Sequence, residues 1–376
     1  MSAPSSKGGV SSEREPPSSR RSSGSRRASR LVDIAAEVGV HTSTVSRVLN
    51  GDASLSIRPE TIERILAAAR RQGYRPNALA RALKQDRTSA LAFVVPLLRN
   101  PIWVRLQRGA LQRAAERGYV VMMMEEPIET PKPPGDYRYL VEESRVDGLL
   151  LATSLRQTGA GQTDADVGKV PHVYVNRRGP DRGNDVVMDE TGAVVLFADH
   201  VAGLGHRSVA LIDGPADVDT VHRRVAAIRR RGAAAGLEVT VRHAPPTEEG
   251  GYDSARRMLR TGPMPTACGV GSINQLFGVL AAFREAGVAV PDDMSVVSFD
   301  EDECLAFLEV PVTSVCMPLA ELGFAAVDAL IARIEGGSAA DILVRDPMFL
   351  VTRASVAPPP AIATRAGIPS PRKARP

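Results

Sequence analysis

Cysteine is scarce in this chain: Cys268, Cys304 and Cys316 form an odd, scattered set with no metal-ligand spacing. That excludes a disulfide scaffold and predicts reduced, ordinary thiols. Histidine is equally thin, with six residues dispersed and no His-x-x-x-His pair, so the helical zinc-hydrolase signature is absent. There is no Gly-Lys-Ser/Thr loop to cradle phosphate, no serine in a nucleophile elbow, and no evident pairing of two acids for acid–base work. The expectation is a chain without catalytic residues, metal or cofactor. Long apolar runs are missing too, those present being far too short to cross a bilayer. The Ser- and Arg-bearing N-terminus lacks the apolar stretch of a secretory signal. A cytoplasmic location with no membrane partner is therefore expected.

What is present is a chain of 376 residues, 43% hydrophobic, long enough for two or three domains with a real core. Its charge is uneven. Residues 1–87 hold 16 Lys/Arg against 8 Asp/Glu, leaving 31 against 35 in the remainder. A basic front on a mildly acidic body points to a nucleic-acid-facing head; a solvated basic tail is the plain alternative. Composition divides the chain further. Residues 1–29 and 357–376 are tails too poor in apolar surface to order themselves. Residues 30–75 read as three short helices, and 76–89 as a linker. Residues 90–356 alternate strand-like runs ("ALAFVVP", "YVVMMM", "DGLLLA", "PHVYV", "SVALID", "MSVVSFD") with amphipathic helices. The predicted fold class is a small all-α head plus an α/β core with parallel sheets in two similar lobes, about 90–187 and 188–315, to which the chain later returns.

In the head, "LVDIAAEVG" places Ile34, Ala35 and Val38 inward, with Gly39 suited to end the helix in a left-handed conformation. A second helix follows too soon for anything but a sharp turn. In "GVHTSTVSRVLNG" the aliphatics Val45, Val48 and Leu49 fall on one face and hydrogen-bonding tips on the other. Two helices at this spacing form the unit whose second helix enters the major groove. Thr42, Ser43 and Arg47 are the candidates for base edges, with Arg47 suited to the paired acceptors of guanine. Ser46 and Asn50 are assigned to phosphate. The third helix, "RPETIERILAAARRQGY", is expected to turn Ile62, Ile65 and Leu66 into the same core.

The pattern V-D-I-A-x-x-V-G-V-x-x-x-T-V-S-R-V-L-N-G, followed by G-Y-R-P-N-x-x-A-R-x-L, resembles the LacI/GalR family of bacterial transcription regulators. The likeness continues through "VVPLLRNPIW", "RVDGLLLA", "GLGHRSVALIDGP", "REAGVAVPDDMSVVSFDED" and "VPVTSV..PLAELG" to about residue 356. The resemblance implies a homodimeric repressor on a near-palindromic operator in double-stranded DNA, and a two-lobed core whose cleft takes a small-molecule effector, a sugar or another metabolite. It makes residues 76–89 a hinge helix, with Leu83 wedged between base pairs and Leu79 packing helix on helix; an ordinary linker helix is the other reading. Departures accompany it. Helix starts that usually carry Ser or Thr caps here carry Arg30, His41 and Arg58, with Ser29 or Ser56 as nearby substitutes.

For the cleft, the resemblance assigns Arg224 to effector hydroxyls or carboxylates and Asp300, ending "VVSFD", to a cleft acid. Asn100 and Trp103 follow the first strand, and Asn176 stands where many members have Asp. Ser272 and Ile273 replace a usual Asn-Asp, which implies an effector less polar than a sugar, or none. Alternatives remain open here: Arg224 sits among five arginines that suit a solvated helix face, Trp103 suits a core, and His206 of "GLGH" suits a structural loop. A solute-binding protein without DNA function would have a similar body.

Overall fold

The computed structural model describes residues 31–49, 55–74, 87–96, 100–126, 137–152, 167, 170–179, 183–338 and 340–360. They fall into two compact units, one drawn from the chain up to Arg81 and the other from Ala82 onward. In the first, α1 (Leu31–Val38) ends where Gly39 takes φ +74°, and the N–H groups of Gly39 and Val40 both donate to Ala35 O at 2.9 and 3.1 Å. Only a residue without Cβ adopts that backbone cheaply. The chain thus reverses in time to start α2 (Thr42–Leu49), and α3 (Pro59–Arg71) closes the unit. Ile34, Ala35, Val38, Val45, Ile65, Ala68 and Ala69 form its core. Leu66 departs from expectation: it is 36% exposed, and Ile62 is only partly buried. From Ile65 the helical period carries the buried stripe to Ala68 and Ala69, small enough for close approach, and Leu66 turns outward.

The second unit carries two six-stranded sheets. The first, in the order β11-β5-β4-β3-β1-β2, is parallel throughout: β1 (Ala90–Val95), β2 (Val120–Glu125), β3 (Gly148–Leu151), β4 (His172–Val175), β5 (Asp185–Met188) and β11 (Ile342–Val344). The second, in the order β12-β10-β9-β8-β6-β7, comprises β6 (Ser208–Asp213), β7 (Glu238–His243), β8 (Ala267–Val270), β9 (Ser295–Ser298), β10 (Thr313–Cys316) and β12 (Phe349–Val351). Here the parallel expectation fails at one edge, because β12 runs antiparallel to β10. Only residues 345–348 separate β11 from β12; β11 runs parallel to β5 and ends at the carboxyl edge of the first sheet, so this short return enters the second sheet from that side and β12 runs back along β10.

Helices α4 (Pro101–Glu116), α5 (Tyr139–Glu142) and α10 (Leu319–Ile334) serve the first lobe. Helices α6 (Glu190–Gly203), α7 (Asp219–Ala235), α8 (Glu248–Arg260) and α9 (Ile273–Ala286) serve the second. The crossover after β10 holds because α4 and α10 meet backbone to backbone. A Cβ on Gly109 would lie 2.1 Å from Ala320 O, and one on Gly323 would lie 2.3 Å from Leu106 O. The inner strands are buried on both faces, while β2 and β7 at the edges mix half-buried and exposed positions.

Candidate functional site

In open parallel sheets, ligands bind beyond the carboxyl ends of the strands. Asn100 lies after β1, Asn176 after β4, Glu190 after β5, Asp213 at the end of β6, Ser272 after β8 and Asp300 after β9. The two lobes touch near these ends: Arg105 of α4 donates Nη1 to Glu301 O at 3.1 Å, and Arg178 N–H donates to the Asp219 carboxylate at 3.2 Å.

Arg224 is the centre of this site. It is buried rather than solvated; Arg229 and Arg230 are the exposed members of its run, and Arg223 bonds Asp219 and Met188 O. Nε donates to Glu190 Oε2 at 2.9 Å. Nη1 donates to both Asp213 oxygens at 3.2 and 3.1 Å and to Gly271 O at 3.2 Å. The guanidinium carbon stands 4.8 Å from the Phe299 ring centre, a cation–π distance. Burial opposes the charge, but Asp213, Glu190 and Asp300 outweigh it and hold the Arg224 pKa above its ordinary value.

Asp300 is pushed from 3.8 up to about 7, first by burial, with Arg224 and the Ile273 N–H opposing and Glu190 and Asp213 reinforcing. The folded chain therefore holds this proton longer than the unfolded chain. Its stabilising contribution is whole below about pH 4 and is lost as pH rises through about 7. Asp300→Asn, neutral throughout, is expected to flatten the dependence of melting temperature on pH across that window and to raise the melting point at pH 8 by a few degrees. Unchanged pH dependence in a calorimetric series would contradict this.

The other predicted residues have defined places. Asn100 is buried and caps α4, its Oδ1 accepting from Ile102 N–H at 3.2 Å. Trp103 joins the main core, 8% exposed, its indole N–H without a partner among the described residues. Asn176 takes φ +57°, which Asn tolerates better than most residues, and its Oδ1 is buried without a described partner. Ser272 caps α9, accepting from Gln275 N–H at 3.3 Å, and Ile273 is fully buried. His206 bridges Thr266 and Ala357 O at 2.8 and 2.9 Å, the structural-loop reading. Glu190 and Asp213 were not anticipated. Asp213 ends an apolar strand as Asp300 nearly does, and that signal was available. Among the described residues no group of His, Cys, Asp or Glu side chains is placed to hold a metal ion, and no helix is long and apolar enough to cross a membrane.

On α2, Ser43 and Arg47 are exposed, whereas Thr42 and Ser46 are half-buried. Asn50, Leu79 and Leu83 lie outside the described residues. The altered helix starts differ in outcome. Arg58 gives α3 no side-chain cap and Ser56 does not replace it, whereas His41 accepts from Ser43 N–H through Nδ1 at 3.3 Å.

Residues 30–77 match the family of bacterial regulatory proteins named for lacI, and residues 198–356 match a periplasmic binding protein-like domain. The chain is 30% identical over 309 residues to the ribose operon repressor of Escherichia coli (strain K12), covering 81% of this chain and 92% of that protein. It is 31% identical over 327 residues to the transcriptional regulator MalR of Streptomyces coelicolor, covering 82% and 90%. A LacI family transcriptional regulator from Mycobacterium smegmatis superposes with a TM-score of 0.65 at 28% identity, over 72% of this chain and 99% of that one. The lac repressor dimer bound to operator and an anti-inducer shares the fold, with a TM-score of 0.74 at 24% identity over 88% and 100%. The match over the three-helix head sets aside a solute-binding protein without DNA function. The chain belongs to the LacI family: DNA-binding transcription regulators with an effector-binding domain, and not enzymes.

Proposed function

We propose that this chain acts in the cytoplasm as a homodimeric repressor on a near-palindromic operator, switched by a small molecule held between its lobes. The observation that carries the reading is the presence in one chain of a three-helix unit with exposed Ser43 and Arg47 and a body whose strand ends converge on Arg224 and Asp300. Relatives are named as the ribose operon repressor and the transcriptional repressor PurR, and one solved regulator, CelR, is a complex with cellobiose. In this chain Ser272 is engaged in capping and Ile273 is buried, which supports an effector with fewer hydroxyls than a free sugar. Tight calorimetric binding of an ordinary free sugar would refute that part. Closure around the effector would re-angle the lobes at contacts such as Arg105 to Glu301 O, biasing a two-state equilibrium read at the DNA.

The test is retention of genomic duplex fragments by the purified chain, with a variant lacking residues 1–81 as control. Discrete, salt-sensitive retention by the full chain alone is expected; indifference of the full chain to every duplex would refute the proposal. Leu83 is proposed as the minor-groove wedge. Leu83→Ala is expected to leave head melting unchanged and to weaken operator binding roughly tenfold, about 1.4 kcal/mol. Equal affinity in a binding titration would refute the wedge role.

A further inference from the structure

The first turn of α2 pairs Ser43 with a side chain that the DNA-reading assignment above does not use, His41. His41 O accepts from Thr44 N–H at 3.0 Å and from Val45 N–H at 3.3 Å, so His41 is the residue from which the helix springs. Its Nδ1 accepts from Ser43 N–H at 3.3 Å and lies 2.8 Å from Ser43 Oγ. A backbone N–H is always a donor, so Nδ1 must offer a lone pair. The neutral imidazole then carries its proton on Nε2. The same lone pair obliges the Ser43 hydroxyl to donate to Nδ1, leaving only acceptor lone pairs on Oγ. Both residues are exposed.

We infer that His41 and Ser43 form a fixed-polarity pair reading two neighbouring base edges: His41 Nε2–H takes a purine N7 acceptor in the major groove, and Ser43 Oγ takes an amino donor, cytosine N4 or adenine N6. Ser43 by itself is ambivalent, since a rotatable hydroxyl donates or accepts; hydrogen-bonded to His41 it has one polarity. The pair sits at the end of the recognition helix that approaches bases, and the code of the major groove distinguishes acceptors from amino donors at every base pair. This inference rests on the DNA-binding role of the family and adds His41 as a specificity-determining residue.

The test uses the full chain, selecting bound duplexes from a random library and then titrating the selected site and its single-base variants. His41→Ser keeps a hydroxyl at the helix start, a favoured cap, and its head is expected to melt as the parent does. Discrimination at one base pair per half-site is expected to fall about tenfold, with the salt dependence of binding unchanged. Ser43→Ala is expected to relax the adjacent base pair in the same way. Replacing the contacted purine by its 7-deaza analogue should weaken the parent but not His41→Ser. A preference profile identical in parent and His41→Ser would overturn the inference. So would a uniform loss across all sequences with a salt slope shallower by about one, which marks a phosphate contact. If the parent itself showed no sequence preference, the family role rather than the pair would be at fault, and the inference would fall with it.

Discussion

Arg224→Met is expected to lower the stability of the body by about 3–5 kcal/mol, the cost of breaking a buried ion pair by removing one partner, and to lower its melting temperature by on the order of 10 °C. The cause is what remains. Glu190 is 2% exposed and Asp213 is 3% exposed, and both direct carboxylate oxygens at this one guanidinium. Met replaces the aliphatic stem and still packs near Phe299, so cavity formation contributes little. Two uncompensated carboxylates do the damage, with Asp300 adding a third acid near neutral pH. The triple variant Arg224→Met, Glu190→Gln, Asp213→Asn should recover most of the loss, because it removes the charges together. Calorimetry of both variants checks this; a single variant that melts like the parent would show that water already screens the cluster. The same variants should lose any effector-dependent shift in operator affinity. A merely structural role for Arg224 would instead let the triple variant respond.

Much of this architecture could be read from the residues because each cue has a local cause. Gly39 was expected to be left-handed and is. The runs from "ALAFVVP" to "MSVVSFD" became strands because they are short, apolar and bounded by turns. Strands β5, β7, β8 and β10 are four or six residues long, and β7 is largely polar in "EVTVRH"; their identity comes from pairing with neighbours rather than from their own sequence. The antiparallel β12 is likewise a consequence of a short return between sheets, a property of topology and not of "FLV". In the cleft, Asp300 and Arg224 were found by position relative to a strand and by family likeness. Their linkage through Glu190 and Asp213 joins residues up to 110 positions apart, and no spacing in the chain encodes it. His41 presents the opposite case. Sequence marked it as a missing hydroxyl cap, and only the ring geometry shows that its nitrogen does the same work.

Arg47→Ala is expected to weaken operator binding by roughly 10- to 100-fold, about 1–3 kcal/mol, the worth of a good bidentate contact to guanine. Arg47 lies four residues beyond Ser43, one helical turn along the same exposed face of α2, while Val45 between them anchors the helix in the core. The short helix thus has its orientation fixed by burial and its reading fixed by what projects from the other side. Ala keeps the helix, being the best former of the set, so head melting should stay within a degree or two of the parent. Arg47→Lys should not restore binding, because a point ammonium cannot reproduce the two-pronged match to N7 and O6. Titration at several salt concentrations separates this from electrostatics. Loss of a base contact leaves the salt slope unchanged and erases the penalty for replacing the contacted G·C pair. A loss equal on every duplex, with a slope reduced by about one, would place Arg47 on the backbone and move the burden of reading to Thr42 and Ser43.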